Sequence, residues 1–159
     1  MYVDLNLQLT EEQIAFRESV HRFALEVLRP RAADLDRRTD PADVIARGSP
    51  LWDVLRQAYQ LGYHKAMPPA EVGGLGFGGL EQHIFLEELG WGSADFAIAI
   101  GVAGFPFATV AKAGSPELID EIVRPFVDDT TARFLGCWAI TEPDHGSDTL
   151  IAGTPEFHD

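Results

Sequence analysis

Residues 9–30, LTEEQIAFRESVHRFALEVLRP, decide the class of fold. Thr10 offers a hydroxyl to cap a helix and Gln13, three residues on, completes a capping box, while Leu9 and Ile14 stand at the spacing of a hydrophobic staple. Phe16, Val20, Phe23 and Val27 then recur at steps of three and four, which puts them on one helical face. Pro30 is expected to kink that helix or end it, because proline lacks the amide hydrogen and crowds the preceding turn.

Helical signals continue outward from there. Residues 37–49, with Pro41 and Gly48, read as an irregular connector. A second helix opens with Ser49 as cap and Pro50 in its first turn, turns Leu51, Val54, Leu55, Ala58 and Leu61 inward, and stops at Gly62. Residues 67–79 hold two prolines and five glycines, too many breakers for a regular element. Helical spacing resumes from Leu80 to Trp91, with Leu80, Ile84 and Leu89 inward and Glu81, Glu87 and Glu88 toward water. Residues from Ser93 to about Gly104 are almost wholly apolar, which predicts a helix buried all round. Pro106 to Lys112 makes a short helix closed by Gly114, and Ser115 opens another that reaches Arg124, before Pro125.

The last stretch changes character. Phe134 to Thr141, FLGCWAIT, is apolar and aromatic without helical charge spacing, which predicts a strand. One strand cannot satisfy its own edges, so its partners must come from elsewhere, or the sequence is an incomplete copy of a longer protein. The expected organisation is mainly α: a helical domain over residues 1–130, then the start of a β domain over residues 131–159.

Composition sets the outer bounds. The 159 residues carry 12 Lys+Arg against 25 Asp+Glu, a net charge of −13, with 46% hydrophobic residues and ten Phe. That is a globular chain, not a disordered acidic tail. No basic stripe is present to neutralise phosphates, which argues against nucleic acid as a partner. A single cysteine, Cys137, excludes a disulfide framework within the chain and fits a reducing compartment, the cytoplasm being the expectation. Residues 1–10 have no basic residue ahead of an apolar run, so they do not read as a signal peptide. The longest uncharged run, Phe96 to Ala111, is interrupted by Gly101, Gly104 and Pro106 and falls short of the roughly 20 residues that span a bilayer. No integral membrane segment is expected.

Several motifs are weaker than they look. Gly74, Gly76 and Gly79 satisfy G-x-G-x-x-G, but a dinucleotide loop needs a strand before it, and here Pro68 and Pro69 precede it. A turn-forming loop is the better reading. His83 and Glu87 share a helix face, yet one pair is two ligands short of a metal site and reads as a surface ion pair. His145, Ser147 and Asp148 are the residue types of a hydrolase triad, but they are too close in sequence and lack a nucleophile elbow. Cys137 has no neighbouring base to lower its pKa and is expected to be packing. Residues 138–148, WAITEPDHGSD, differ from all of these. An aromatic ribbon running into hydroxyls, a proline turn and Gly-Ser presents N–H and O–H donors suited to a planar heteroaromatic ring and a phosphate. From the residues alone, an ordinary strand and turn fits equally well.

Thr141 to Asp148, TEPDHGSD, resembles the flavin-binding signature of the acyl-CoA dehydrogenases. The likeness extends to LTEEQ at residues 9–13, to the Pro-x-x-x-Gly-Gly-Leu-Gly loop at Pro69 to Gly76, and to LEEL at residues 86–89. The resemblance implies a three-part subunit in which a helical amino-terminal domain, a β-barrel-like middle domain and a carboxy-terminal helical bundle enclose FAD and an acyl thioester. This chain would cover the first part and the first strand of the second.

Carried over by position, Trp138 would neighbour the flavin ring, Ile140 and Thr141 would donate main-chain and hydroxyl hydrogen bonds to it, and Gly146 and Ser147 would lie near the cofactor diphosphate. Ser147 would also approach the CoA portion, and Ala97, Gly101 and Phe105 would line the acyl tail, with close helix packing an equal alternative for these small residues. The implied reaction is α,β-dehydrogenation of an acyl-CoA to a trans-2-enoyl-CoA, with electrons passing to an electron-transferring flavoprotein and a homo- or hetero-oligomeric assembly. The family's base is a glutamate of the carboxy-terminal bundle. No residue here matches it, so the chain alone is expected to be inactive.

Asp144 and His145 depart from the family pattern, where small residues are common. A carboxylate there weakens phosphate binding, and the net charge of −13 repels CoA. Two other readings follow from the same fold or surface: a flavin-dependent oxidase or monooxygenase, and a non-catalytic binding or assembly subunit.

Overall fold

The computed structural model describes residues 8–113, 115–137, 139, 141, 143, 144 and 146. Its first helix, α1, spans Glu11–Phe23 and begins with the expected capping box. The Gln13 amide donates to Thr10 Oγ1 at 3.2 Å, and the Thr10 amide donates to Gln13 Oε1 at 3.0 Å. These bonds satisfy two N–H groups that a helix start otherwise leaves unpaired. Thr10→Ala is expected to cost about 1 kcal/mol, read as a lowered urea midpoint with an unchanged slope.

Neither proline ends its helix: the first helix runs on past Pro30 through a widened turn, and the helix expected to stop at Arg124 continues through Pro125. Ahead of the first, Ala24–Leu28 widens into a π turn in which the Arg29 amide reaches back five residues to the Ala24 carbonyl. The chain then continues as α2, Arg29–Asp36, with Pro30 in its first turn. Proline has no hydrogen to give and its ring presses on the turn before it, and one extra residue in that turn relieves both problems. The second proline meets the same solution. Ile119–Val123 is a π turn closed by the Arg124 amide on the Ile119 carbonyl, and Pro125 sits in the helix that follows.

The connector is not wholly irregular. Asp40 accepts from the Ala42 amide at 2.9 Å and caps a short helix, α3, Pro41–Ile45. Next comes α4, Pro50–Gln60, capped by Ser49 as expected. Gly62 takes a left-handed conformation at φ 77°, which lets the chain turn into two short 3-10 segments, Tyr63–Ala66 and Ala70–Val72. Leu61, expected inward, is 54% exposed, because it is the cap residue past the end of α4, where Gly62 turns the chain away.

The centre of the fold is α5, Gly79–Gly92, packed against α1 and against α6, Ala94–Val102. Val20, Leu28, Val54, Phe85, Leu89 and Ile100 fill the main core between α1, the first π turn, α4, α5 and α6. Two expectations for this region fail. Leu80 is exposed, and Glu88 is buried at 5% exposure, because position 88 falls on the same stripe as Ile84, Phe85 and Leu89. α6 is not buried all round either: Ile98 is 62% exposed.

Beyond it lie α7, Phe105–Ala113, α8, Pro116–Leu118, and, after the second π turn, α9, Arg124–Asp128. They close over a second core of Tyr59, Phe107, Val123, Phe126 and Val127. The stretch Ala94–Ala113 is long and apolar enough to cross a bilayer, with a mean hydropathy of 1.7, yet it folds as two helices with Phe96, Ala97, Ile100 and Phe107 in the cores.

After α9 the Asp129 carboxylate accepts from the amides of Thr131, Arg133 and Phe134 and from the Thr131 hydroxyl. Burial raises its pKa, but these hydrogen bonds outweigh it and hold the carboxyl below its ordinary value. The Tyr59 hydroxyl donates to the Phe134 carbonyl at 2.7 Å and fixes where the next segment starts. Among the described residues of 134–141 none is assigned as strand, since a strand is defined by a pairing ladder and the described residues supply no partner. Cys137 is exposed, which corrects its expected role in packing.

Candidate functional site

A groove runs between α5 and α6, and the sequence dictates it by spacing. On α5, Gln82, Leu86 and Gly90 recur every four residues and share a face. On α6, Ala94, Ala97, Ile98, Gly101 and Val102 form the facing stripe, and Met67 and Phe105 complete the far end. Small residues on both stripes keep side chains out of the space between them, leaving a cavity of about 490 Å³. The helices fold back on each other through Ser93, which caps α6 by accepting from the Phe96 amide. A methyl group at Gly101 would lie 3.1 Å from Leu86 Cδ2, whereas one at Gly90 would meet nothing.

The three residues expected to line an acyl tail, Ala97, Gly101 and Phe105, are brought together on this one groove. Among the described residues its only polar lining side chain is Gln82. Leu86, Ile98 and Phe105 lie exposed along it, a contiguous apolar strip of the kind that marks an occupied surface.

Of the residues expected at the flavin, Trp138, Ile140 and Ser147 lie outside the described residues, as do His145 and Asp148. Thr141, Asp144 and Gly146 are described and exposed. The approach to them is fixed at Gly136, where an added Cβ would collide with the Ala103 carbonyl and come 2.7 Å from the Phe107 ring. The aromatic ribbon therefore starts against the carboxy-terminal end of α6, beside the Phe105 end of the groove.

The glycine loop is structural. A Cβ at Gly74 would overlap the Pro68 carbonyl, and Gly76 sits at φ 64°, so both positions require glycine for space or conformation. A 3-10 turn precedes the loop, not a strand. Among the described residues no three His, Cys, Asp or Glu side chains come together as a metal site, and His83 and Glu87 are both exposed.

Two features escaped the sequence. Buried Glu88 accepts from His21 Nδ1 at 2.7 Å; the His21 ring lies 4.2 Å from that of Trp91, which carries the Arg29 guanidinium at 4.6 Å. This cluster borders an open hollow of about 680 Å³ with Arg17, Arg22 and Leu25. Its signal was present: Glu88 lies one turn from both Ile84 and Phe85 on an apolar face. The second feature is His64, 1% exposed, stacked at 4.0 Å on Tyr59, with Nε2–H donating to the Val127 carbonyl at 3.4 Å and Nδ1 without a partner. Burial lowers its pKa to about 4, so it is neutral at pH 7. Neither feature lines the groove.

Comparison with known proteins matches residues 10–130 to the family model described as acyl-CoA dehydrogenase, N-terminal domain. The mitochondrial short-chain specific acyl-CoA dehydrogenase of Sus scrofa is 30% identical over 152 residues, covering 94% of this chain and 33% of that protein. Cyclohex-1-ene-1-carbonyl-CoA dehydrogenase of Geobacter metallireducens is 32% identical over 147 residues, 92% of this chain and 36% of that protein. The chain thus spans about a third of the length of the curated relatives it matches. Among solved structures, Podospora anserina nitroalkane oxidase superposes with a TM-score of 0.75 at 21% identity, over 97% of this chain and 35% of that one, a likeness of fold.

Proposed function

This chain belongs to the acyl-CoA dehydrogenase family, and from that premise we propose that it provides the helical, acyl-binding part of an FAD-dependent enzyme that dehydrogenates an acyl-CoA to its trans-2-enoyl product. The observation that supports this reading is the groove between α5 and α6, where Ala97, Gly101 and Phe105 meet on an almost wholly apolar wall. Such a wall takes up hydrocarbon at about 0.8 kcal/mol per buried methylene and offers little to the charged end of a CoA ester.

FAD, when bound, supplies the acceptor for the β hydride. The described residues fit a role beside it: Thr141 is exposed outside any helix, and the Gly136 contact starts the ribbon at the groove's end. In this reading Trp138 flanks the ring, Ile140 and Thr141 hydrogen-bond to it, and Gly146 and Ser147 approach the diphosphate. The chain's own task is positioning, since holding the reacting carbons against an acceptor removes much of the entropic barrier. The base that takes the α proton is not one of its residues. An acyl-CoA, an electron-transferring flavoprotein and further subunits are the proposed partners, in a reducing compartment, here the cytoplasm, which suits the exposed Cys137.

The likeness in fold to nitroalkane oxidase favours one second reading, a flavin oxidase of the same architecture. Rapid reoxidation of the reduced holoenzyme by air, with no electron-transferring flavoprotein added, would select it.

The acyl-binding reading is tested by filling the groove. Gly101→Leu is expected to weaken binding of an acyl-CoA by roughly tenfold, the loss of about two buried methylenes, while leaving binding of free CoA unchanged. Equal loss for both ligands, or no loss for either, contradicts it.

A further inference from the structure

Five residues, 129–133, separate α9 from the aromatic ribbon that begins at Phe134, and they are held from three sides. The Asp129 carboxylate takes four hydrogen bonds: Oδ1 accepts from the Thr131 amide and hydroxyl at 2.6 and 2.7 Å, and Oδ2 from the Arg133 and Phe134 amides at 2.6 and 2.8 Å. Between Thr131 and Arg133, Ala132 stands at φ 56°, a left-handed conformation that a residue with a Cβ keeps only where its surroundings impose it, and its side chain packs against both cores. Across from this turn the Tyr59 hydroxyl grips the Phe134 carbonyl, and the Tyr59 ring cannot swing away because it lies flat on His64 and edge-on to Phe126. Burial first and the Asp129 charge second raise the Tyr59 pKa, so the phenol keeps the proton it donates.

We propose that Asp129, Ala132 and Tyr59 form one rigid joint that aims the ribbon, and that Asp129 and Tyr59 are thereby positioning residues for the flavin. The proposal rests on the flavin-binding reading above and adds to it the device that fixes the ribbon's direction. None of the described residues past Phe134 belongs to a pairing ladder, so within the described residues that direction is set by the joint and the Gly136 contact. Leverage makes the setting matter. Thr141 lies seven residues beyond Phe134, up to about 23 Å of extended chain at ~3.3 Å per residue. A pivot of roughly 10° at the joint swings that end by about 4 Å, more than a hydrogen-bond length of ~3 Å. Bonds from Ile140 and Thr141 to a ring therefore need a joint that does not turn. A hinge built for motion would show the opposite, with glycine at the left-handed position and the carboxylate left to water.

The test has two readouts. Amide hydrogen exchange of this chain, followed by nuclear magnetic resonance, reads the joint. Tyr59→Phe removes one oxygen and leaves the ring on His64. It is expected to speed exchange of the Thr131, Arg133 and Phe134 amides about tenfold, the equivalent of one lost hydrogen bond, although Tyr59 bonds none of them. Asp129→Asn can accept on one side alone, because its other side donates, and is expected to free either Thr131 or both Arg133 and Phe134. The Val20 amide, deep in α1, keeps its rate in both variants. Quenching of FAD fluorescence on titration reads the flavin. Both variants are expected to bind FAD about tenfold more weakly than the unaltered chain and to quench it less at saturation. Exchange that stays as slow in Tyr59→Phe, or that rises equally at Val20, overturns the joint. FAD held as tightly and quenched as fully by both variants overturns the positioning role and leaves flavin binding standing. No FAD bound by the unaltered chain, whatever the exchange, overturns the flavin reading and the positioning role with it.

Discussion

Phe126→Ala is expected to destabilise the chain by about 3–5 kcal/mol, the usual cost of emptying a fully buried aromatic site. Phe126 has no exposed surface, stacks on Phe107 with ring centroids 3.7 Å apart, and meets Tyr59 and His64 edge-on at 6.0 and 5.1 Å. It is therefore the residue through which α9 grips α7 and the end of α4. Truncation opens a cavity beside His64, whose ring loses its edge-on aromatic neighbour. Phe126→Leu keeps most of the volume and is expected to cost less than half as much. Urea unfolding followed by tryptophan fluorescence measures both. A loss below about 1 kcal/mol for the alanine variant would mean that α9 does not pack as described.

The second large effect is on acid stability. The His64 pKa falls from 6.5 to about 4 in the folded chain, through burial first and the nearby Lys65 charge second, against the opposing Val127 hydrogen bond and Asp129. Between those two values the unfolded chain binds a proton that the folded chain refuses, so stability is complete above pH 6.5, falls as pH drops toward 4, and levels off below. The total is about 3 kcal/mol, from roughly 1.4 kcal/mol per pKa unit. Asp129, whose pKa is lowered, loses its contribution at more acidic pH, as the solution falls through its ordinary carboxylate range and below. Glu81, whose pKa is lowered from 4.5 by its hydrogen bond from Gln13, adds its own loss as the pH falls through 4.5, so the decline between 6.5 and 4.5 is the part that reports His64. His64→Gln is expected to flatten stability across that interval, measured as urea midpoints at several pH values. An equally steep decline in the variant would assign the acid sensitivity to another group.

What the sequence revealed and what it concealed divide along a physical line. The capping box at Thr10 and Gln13, the Ser49 cap and the stop at Gly62 are decided by neighbours three or four residues away, and each was legible. At Pro125 the helix was expected to stop and does not, and at Pro30 it does not end, because a proline's local veto says nothing of the slack a π turn can supply one turn earlier. Glu88 was assigned to water by residue type, although its position on the Ile84 and Leu89 stripe demanded burial, and only His21, 67 residues away, makes that burial tolerable. The short helix after Asp40 was hidden by the habit of reading Pro41 as a breaker where it opens a first turn.

The strand expected at 134–141 illustrates the converse. Aromatic and β-branched residues raise a tendency, but pairing is not local, and no described residue of this chain completes it. For the site, Ala97, Gly101 and Phe105 were singled out by the family resemblance alone, and the structure brings them to one groove. Gln82, Leu86 and Gly90 were not, since a groove exists only once two helices have folded against each other.

Hydrocarbon held in the cleft between α5 and α6 is detectable by nuclear magnetic resonance of the methyl groups that line it. On titration with decanoyl-CoA, the methyl signals of Leu86, Ile98 and Val102 are expected to shift together and saturate, while those of Val54 and Val123, at the centres of the two cores, stay in place. Shifts that leave these three untouched and gather instead at Leu25, beside Trp91, would contradict it.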